Sequence, residues 1–286
     1  MLLWKLGARR EAEIEAIREG LRLGMNLIDT AEMYHTEDLV GAAVSGAKGV
    51  FLATKVSPNH FRYDDVISAC DASLKRLGAK SIDLYQLHWP NSDIPISETI
   101  KAMEKLKNDG KIRHIGVSNF SVEEMEEARA AAKSSDIVSN QVEYSPYVRY
   151  VEETVVPYCR KNGITVIAYS PLARGALSNT SSITTTTLKR IASRHGCTPA
   201  QVALSWLTSK GNVVAIPKAA DIIHVKENAA SPEIGLSPKE AAEIDGLQDD
   251  SVTPVASRLN KFTKKTASFW SSLMDKRERL RVKHGI

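Results

Sequence analysis

Short apolar runs alternate with longer amphipathic stretches along this chain of 286 residues, and this alternation is the feature that most restricts its fold. Seven of the runs are β-branched or continuously apolar, which is typical of parallel strands that are covered on both faces. Strands that alternate with helices through right-handed crossovers form either a doubly wound sheet or a barrel. The seven predicted strands are Asn26–Asp29, Val50–Thr54, Ile82–Leu87, Ile112–Val117, Val138–Val142, Thr165–Tyr169 and Asn212–Ile216.

The stretches between these runs carry the end signals of helices. Ser121 can cap a helix that continues past Glu124, and Gly110 and Gly163 stand where helices should end. The chain is therefore expected to be of the α/β class. The predicted helices include Arg10–Leu23, Tyr63–Leu77, Ile96–Asp109, Val122–Lys133 and Val151–Asn162.

Polar residues stand at or just past the carboxyl end of each predicted strand. Active-site residues of parallel α/β proteins concentrate at this end, and a contribution from seven successive strands favours a closed ring over an open sheet. No Gly-x-Gly-x-x-Gly motif follows a strand, so the dinucleotide fingerprint of the doubly wound fold is missing. We therefore predict a (β/α)8 TIM barrel. The polar residues are Asp29, Lys55, His88, Ser118 with Asn119, Gln141, Tyr169 with Ser170, and Lys218.

The length and composition fit one such barrel, which typically takes about 250 residues. Hydrophobic residues make up 43% of the chain and charged residues 25%, as in soluble globular proteins. No apolar run approaches the ~20 residues that span a bilayer, and no secretory signal is visible. Cys70, Cys159 and Cys197 are widely spaced and form no Cys-x-x-Cys pair, which favours a reducing compartment. We expect a cytoplasmic protein without a membrane span.

The positive charge of the chain is concentrated at its C-terminal end. Residues 251–286 carry nine Lys or Arg against two acids, whereas the whole chain has a net charge of only +4. The first 250 residues are thus slightly acidic, and no nucleic-acid partner is expected. We predict a barrel over residues 1–250 and a basic C-terminal extension over 251–286. A helix packed on or near the barrel is the leading reading of this extension; a loop that closes over the substrate, or a segment that contacts an anionic membrane or partner, stays open.

Four of the polar residues could form an acid–base group. A free tyrosine has a pKa near ~10, which is too high for efficient proton transfer at neutral pH. An ammonium such as Lys55 can lower the pKa of Tyr34, and a carboxylate such as Asp29 can hold that ammonium in place. His88 could hydrogen-bond a carbonyl oxygen. The same residues also fit a structural ion pair beside a hydrogen-bonded core histidine, and composition alone leaves both readings open.

The sequences around these residues closely resemble the signatures of the aldo-keto reductase family, in the same order, from about Trp4 to Gln248. The resemblance implies that Tyr34 is the general acid and that Lys55 and Asp29 adjust its pKa. It also implies that His88 orients the substrate carbonyl. The matching segments read LGMNLIDTAEMYHTEDLVG from Leu23, LATKV around Lys55, SLKRLGAKSIDLYQLHWP around His88, GKIRHIGVSNF ending at Phe120, NQVEYSP around Gln141, AYSPLARG around Tyr169 and IPKA around Lys218.

The resemblance also implies a shell around a nicotinamide cofactor. Ser118, Asn119 and Gln141 look like the groups that hydrogen-bond the nicotinamide carboxamide, and Tyr169 looks like the aromatic residue that stacks on the ring. Each of the three polar residues, taken singly, also fits capping or core hydrogen bonding.

Further along the cofactor, Ser170 and Leu172 match positions beside the pyrophosphate. Lys218 matches a residue near the adenosine ribose and its 2′-phosphate. Glu227 and Asn228 match the adenine contacts of the family.

The 2′-phosphate region departs from the family pattern at two positions. Ala219 stands where serine or threonine usually follows Lys218, and His224 stands where many members place an arginine. Arginine offers a charged bidentate fork, whereas histidine is mostly neutral at pH 7. We expect NADPH to be preferred, with NADH possible as a second cofactor.

Trp4 and Trp89 resemble the aromatic walls of the substrate pocket, although a tryptophan at a barrel mouth can equally belong to the core. Only Met1, Leu2 and Leu3 precede Trp4. The first strand of the barrel is therefore predicted to be short, and the N-terminal hairpin usual in the family is missing from the sequence.

Together these features predict an oxidoreductase that reduces an aldehyde or ketone to an alcohol by hydride transfer from NAD(P)H. No metal is expected, because Tyr34 and His88 supply the polarisation that a metal would give. The expected partner is a small carbonyl substrate, and a monomer is favoured. A cofactor-binding regulatory subunit of the same fold, with little turnover, is the alternative. An aldolase that forms a Schiff base on Lys55 or Lys218 is a third, less favoured reading.

Overall fold

The computed structural model describes residues 10–178 and 182–247 of the chain. Trp4, the predicted short first strand and the predicted extension over 251–286 lie outside these residues, so those three predictions stay untested. Within the described ranges, no helix is long and apolar enough to cross a membrane.

Within residues 10–178 and 182–247, seven strands form one parallel sheet in which each strand pairs with the next one along the chain. All seven predicted strands are confirmed, with ends that differ by at most two residues from the expected ones. The strands are β1 (Leu27–Asp29), β2 (Phe51–Val56), β3 (Ile82–Leu87), β4 (Ile112–Ser118), β5 (Ile137–Glu143), β6 (Thr165–Tyr169) and β7 (Val213–Ala215).

A hydrogen bond across the sheet shows that it is curled into a barrel. Nε2 of Gln141 on β5 lies 2.8 Å from Oδ2 of Asp29 on β1. In a flat sheet, four inter-strand spacings of about 4.8 Å would place these two strands roughly 19 Å apart. The side chains meet only because the sheet bends round on itself, and the predicted (β/α)8 barrel is confirmed as the fold.

Helices cover the outside of the sheet, in the positions that a barrel requires. At the start of the fifth helix, the Oγ of Ser121 accepts from the Glu124 amide at 3.2 Å and the Glu124 carboxylate accepts from the Ser121 amide at 2.8 Å, as expected for a capping box. The helices of the described residues are α1 (Arg10–Arg22), α2 (Glu37–Val44), α3 (Tyr63–Leu77), α4 (Ile96–Asn108), α5 (Val122–Ala131), α6 (Val155–Lys161), α7 (Ile183–His195), α8 (Pro199–Thr208), α9 (Ile222–Ala230) and α10 (Pro238–Asp245).

The predicted helix Val151–Asn162 is wrong in its first turn. The structure has a short 3₁₀ turn at Tyr150–Glu152, and α6 begins only at Val155. Pro157 explains the difference, because a proline lacks the amide proton and its ring clashes with the carbonyl four residues earlier. A proline is therefore tolerated in the first turn of a helix, and α6 begins two residues before it.

The barrel interior consists of an apolar layer beneath a polar one. Ala53, Leu84, Ile167 and Ile216 form a buried cluster that fills the middle of the barrel. Gly116 is required in this layer, since a Cβ there would collide with the Ser139 hydroxyl and other interior side chains. The polar residues at the carboxyl ends of the strands lie above this apolar layer.

Candidate active site

A buried ion pair lies at the centre of the polar layer. The Nζ of Lys55 on β2 lies 2.5 Å from Oδ1 of Asp29, the last residue of β1, and 2.7 Å from the carbonyl oxygen of Thr30. Both side chains of the pair have no exposed surface. Burial of two charges is costly, and close pairing with additional hydrogen bonds is what makes it tolerable.

Tyr34 approaches this pair from the loop that follows β1. It ends a 3₁₀ turn formed by Glu32–Tyr34, and His35 closes that turn with a left-handed φ of 54°. The Tyr34 hydroxyl lies 3.0 Å from Nε2 of His88, and the two rings meet edge to face. The Lys55 ammonium lies 5.0 Å from the centre of the Tyr34 ring. The structure thus brings together the four residues that the sequence predicted as catalytic.

The pKa values of these groups reflect their burial. Burial, and then the positive charge of Lys55, hold the pKa of His88 well below its ordinary value, so this histidine is neutral at pH 7. Burial raises the pKa of Tyr34, the charge of Asp29 raises it further, and Arg174 opposes the rise. The sequence-based expectation of a lowered pKa for Tyr34 is therefore wrong in direction, because burial of the hydroxyl, and then the charge of Asp29, raise this pKa.

Two glutamines fix the second oxygen of the Asp29 carboxylate. Oδ2 accepts from Nε2 of Gln141 at 2.8 Å and from Nε2 of Gln86 at 3.1 Å. Sequence reasoning assigned Gln141 to the cofactor and missed Gln86. The available signal was its place on β3, two residues before His88, since alternate residues of a strand face the same side.

The four residues predicted around the nicotinamide ring form one connected group. The Tyr169 hydroxyl donates to Oδ1 of Asn119 at 3.0 Å, and Nδ2 of Asn119 donates to the Ser118 hydroxyl at 3.0 Å and to the His88 carbonyl at 3.2 Å. The Ser118 hydroxyl in turn donates to the Gln141 carbonyl oxygen at 3.0 Å. These bonds hold the group against the residues predicted as catalytic. They also give each polar residue the structural hydrogen bond that the alternative interpretation required.

The loop after β6 contains the two residues predicted beside the pyrophosphate. Ser170 has a left-handed φ of 48°, and Leu172 follows it half-buried. Arg174, further along the same loop, donates from Nε to the Ser170 hydroxyl at 3.2 Å. Its guanidinium also faces the Glu143 carboxylate at 3.6 Å.

Among the residues predicted near the ribose phosphate and adenine, Lys218 lies in the loop after β7, whereas His224, Glu227 and Asn228 lie on α9. Lys218 and His224 each face an acid. The Lys218 ammonium lies 3.7 Å from the carboxylate of Glu13 on α1, a residue that sequence reasoning missed. Nδ1 of His224 lies 3.0 Å from the Glu227 carboxylate, and this hydrogen bond raises the pKa of His224. Asn228, the remaining predicted adenine contact, is buried. The two substituted positions differ in surroundings: Ala219 is buried and His224 is exposed.

Of the two predicted substrate residues, only Trp89 lies among the described residues. It directly follows His88 and is half-buried, which leaves part of its surface accessible. Its contact with a substrate stays a prediction.

Comparison with known proteins gives close matches over most of the chain. The sequence model of the Aldo/keto reductase family matches residues 3–249. The chain is 41% identical to the methylglyoxal reductase YeaE of Escherichia coli (strain K12), over 85% of this chain and 87% of that protein. It is 37% identical to the glyoxal reductase of Bacillus subtilis (strain 168), over 82% of this chain and 83% of that protein. The crystal structure of an aldo/keto reductase from Klebsiella pneumoniae in complex with NADP and acetate superposes with a TM-score of 0.80, at 39% identity, over 86% of this chain and 89% of that chain.

Proposed function

Because this chain belongs to the aldo/keto reductase family, we propose that it reduces small 2-oxoaldehydes such as methylglyoxal and glyoxal, with NADPH as its preferred cofactor. The chain is a nicotinamide-dependent oxidoreductase that reduces carbonyl groups. The narrower substrate class is supported by the names of the two relatives described above. Neither those relatives nor the geometry of the described residues favours a regulatory subunit.

One observation carries the proposed chemistry: the Tyr34 hydroxyl lies 3.0 Å from Nε2 of His88, and the Lys55 ammonium lies 5.0 Å from the centre of the same tyrosine ring. In the proposed reaction, Tyr34 donates its proton to the carbonyl oxygen of the substrate as that oxygen becomes an alkoxide. An alkoxide is a stronger base than a phenolate, so this transfer is favourable even though burial raises the pKa of Tyr34. Lys55, held by Asp29, then stabilises the phenolate.

His88 is suited to orient the carbonyl oxygen in its neutral form. Its buried Nδ1 has no hydrogen-bond partner among the described residues, whereas Nε2 faces the Tyr34 hydroxyl. A buried N–H without a partner is less well tolerated than a buried acceptor, so we assign the proton to Nε2. An Nε2 proton can be donated to the same oxygen that Tyr34 protonates.

The chemistry of the surrounding side chains fits a nicotinamide cofactor, which supplies the hydride when bound. The amides of Asn119 and Gln141 and the hydroxyl of Ser118 are uncharged groups that match a carboxamide. Tyr169 offers a half-buried aromatic face, and its hydrogen bond to Asn119 fixes the tilt of the ring. We assign these four residues to the nicotinamide, and Ser170 and Leu172 to the pyrophosphate.

The proposed preference for NADPH rests on Lys218 and His224, which would contact the 2′-phosphate. Each of these residues already faces an acid, Glu13 at 3.7 Å and Glu227 at 3.0 Å. Their charge is therefore partly offset before the cofactor binds. This supports a preference for NADPH that is weaker than an arginine would give, with NADH as a usable second cofactor.

The expectations on location and assembly remain proposals. All three cysteines are free thiols, which supports a reducing compartment such as the cytoplasm. We keep a monomer as the proposed state, and Trp4 and Trp89 as proposed walls of the substrate pocket.

The test is a screen of methylglyoxal, glyoxal and the monocarbonyl propanal with NADPH and with NADH. We expect the dicarbonyls to be reduced more efficiently, and NADPH to support the higher kcat/KM. Tyr34→Phe should lower kcat by about a hundredfold or more while the Kd for NADPH stays within about a factor of two. Tyr63→Phe is the matched control, because it also removes a tyrosine hydroxyl, but from the outer helix α3.

Equal efficiency towards propanal would reject the proposed substrate class. Full activity of Tyr34→Phe would reject the proposed acid.

A further inference from the structure

A nearly buried carboxylate lies in the turn that carries Tyr34. Glu32 begins the 3₁₀ turn that Tyr34 ends, and only 10% of the Glu32 side chain is exposed. One of its oxygens, Oε1, accepts a hydrogen bond from the backbone amide of Ser57 and lies 3.0 Å from Nδ1 of His60. This carboxylate takes no part in the proposed reaction, so its place beside the acid needs a separate explanation.

Both partners of Glu32 belong to the segment that follows the strand of Lys55. Ser57 comes directly after the end of β2, and a short 3₁₀ turn over Pro58–His60 follows it. Glu32 precedes Tyr34 by two residues, and Ser57 follows Lys55 by two residues. The carboxylate therefore links the turn of the acid to the end of the strand that carries the ammonium.

The segment that receives Glu32 is itself fixed on its other side. The His60 amide donates to the Ser57 carbonyl oxygen at 2.9 Å, which closes the 3₁₀ turn. Nδ2 of Asn91, in the loop after β3, donates to the Pro58 carbonyl oxygen at 2.9 Å. Because Ser57 is buried and its turn is bonded to the next loop, it offers a fixed position for the Glu32 carboxylate.

The turn that carries Tyr34 is less well fixed by its own backbone. The Tyr34 amide donates to the Ala31 carbonyl oxygen at 3.0 Å, but the His35 amide lies 3.3 Å from the Glu32 carbonyl oxygen, which is long for such a bond. His35 also has a left-handed φ of 54°, which non-glycine residues seldom adopt. A side-chain bond to a neighbouring element stabilises a turn of this kind, and Glu32 provides one.

Loss of the carboxylate would disturb both segments. A buried amide without an acceptor is costly, so the Ser57 amide would shift towards another acceptor. The Tyr34 turn would lose its link to β2 at the same time. A displacement of a catalytic group by about 1 Å can lower the rate of reaction by about a hundredfold.

We propose that Glu32 is a positioning residue for Tyr34. Its carboxylate, held by the Ser57 amide and the His60 ring, keeps the tyrosine hydroxyl within hydrogen-bond distance of His88. The inference rests on the proposed role of Tyr34 as the acid, and it deepens that proposal because it names the group that places the acid.

The experiment compares Glu32→Leu, which removes both contacts of the carboxylate, with Glu32→Gln, which keeps an oxygen for the Ser57 amide. Glu98→Leu is the matched control, because the Glu98 carboxylate also accepts from a backbone amide, that of Tyr63 at 3.0 Å, at the start of the outer helix α3. The values of kcat, KM and Kd for NADPH are measured with whichever of methylglyoxal, glyoxal and propanal the wild type reduces fastest.

Glu32→Leu should lower kcat about tenfold, because the acid is displaced, while KM and the Kd for NADPH stay within about twofold of the wild type. Glu32→Gln should keep kcat within about threefold of the wild type, since its amide oxygen still accepts from Ser57. A purely structural role would lower the free energy of unfolding in Glu32→Leu and Glu98→Leu alike, and it would leave the kcat of the folded enzyme unchanged.

His60→Leu tests whether the imidazole ring acts through the same carboxylate. We expect it to lower kcat about threefold in the wild type and to cause no further loss in Glu32→Leu. An equal loss in both backgrounds would overturn the role of the ring.

Deuterium exchange of the Tyr34 and His35 amides gives a measurement that does not depend on turnover. These two amides close the turn, so their exchange should be faster in Glu32→Leu than in the wild type and unchanged in Glu98→Leu. If the wild type reduces none of the three aldehydes, the proposed substrate class fails, and the exchange still decides whether Glu32 holds the turn.

A kcat of Glu32→Leu within about twofold of the wild type would overturn the proposal, and so would unchanged exchange at Tyr34 and His35. An equal loss of kcat in Glu32→Gln and Glu32→Leu would overturn the role of the Ser57 hydrogen bond. Full activity of Tyr34→Phe would instead reject the proposed acid, so the two failures can be told apart.

Discussion

Gln141 on β5 donates to Oδ2 of Asp29 on β1 at 2.8 Å, which links two strands on opposite walls of the barrel. Gln86 on β3 donates to the same oxygen at 3.1 Å. Since the two amides engage Oδ2, the other carboxylate oxygen is left for the Lys55 ammonium at 2.5 Å. The orientation of the buried ion pair therefore depends on β3 and β5, although Asp29 and Lys55 themselves lie on β1 and β2.

Gln86→Met tests this dependence, because it removes one of the two amides and keeps a side chain of similar length. We expect kcat to fall about fivefold to tenfold as Asp29 and Lys55 lose their fixed orientation, with little change in the Kd for NADPH. The free energy of unfolding should fall by about 1–2 kcal/mol, the cost of weakening a buried hydrogen-bond network. Steady-state kinetics and urea unfolding measure the two effects.

Leu84→Met is the matched control for Gln86→Met. Leu84 lies two residues earlier on β3, in the apolar layer beneath, so the replacement changes packing without touching Asp29. A loss of kcat as large in Leu84→Met as in Gln86→Met would contradict a specific role for the amide.

The four residues proposed as catalytic could be placed close together from the sequence, whereas their roles came from the resemblance to the family. Parallel strands place their carboxyl ends at one edge, so polar residues at or just past the ends of β1, β2 and β3 are expected to lie close together. Gln86 could not be identified in this way, because a single glutamine within an apolar strand carries no motif. Its hydrogen-bond partner, Asp29, lies 57 residues away on another strand.

The electrostatic partners were also beyond the reach of the sequence. Glu13 on α1 pairs with Lys218, and Glu143 pairs with Arg174, but both contacts depend on how separate elements pack. The pKa of Tyr34 shows the same limit: the sequence names its charged neighbours, whereas the dominant effect is the burial that only the packed structure reveals.

The Asp29–Lys55 pair should show strong coupling in its free energy of unfolding. Lys55→Met or Asp29→Asn alone leaves one fully buried charge without its partner, which typically costs about 3–5 kcal/mol. The double variant leaves no such charge, so its loss should be smaller than the sum of the two single losses by about 2 kcal/mol or more. Urea unfolding of the four proteins measures this difference. Additive losses would show that the two charges are independent.

Glu37 anchors the segment after Tyr34 to the outer side of β2. Its buried carboxylate accepts from the Thr54 hydroxyl at 2.6 Å and from Nε of Arg76 at 2.7 Å, and Arg76 is 39% exposed. Arg76→Met should lower the free energy of unfolding by about 3–5 kcal/mol, since it removes the cation that is hydrogen-bonded to the buried carboxylate. Glu37→Gln should cost only about 1–3 kcal/mol, because Arg76 can then turn to solvent. A larger loss in the free energy of unfolding for Glu37→Gln than for Arg76→Met, measured by urea unfolding, would contradict the assumption that the unpaired buried carboxylate causes the loss.

Cofactor choice should depend on pH through His224. Its hydrogen bond to Glu227 raises the pKa of His224 above that of a free histidine. As the pH falls through this raised pKa, His224 gains a proton and a positive charge that can favour the 2′-phosphate of NADPH; as the pH rises above it, the charge is lost. The ratio of kcat/KM for NADPH to that for NADH should therefore decrease from about pH 6.5 to about pH 9. This range keeps the phosphate, with a second pKa near ~6, mostly ionised.

Three variants separate this effect from other titrations at the mouth. His224→Arg should give a higher NADPH/NADH ratio that no longer changes with pH, because arginine stays charged. His224→Ala should give a lower ratio that is equally flat. Glu227→Gln should move the transition to lower pH, since it removes the hydrogen bond that raises the pKa of His224. A pH dependence that persists in His224→Ala would assign the titration to another group and reject the role of His224.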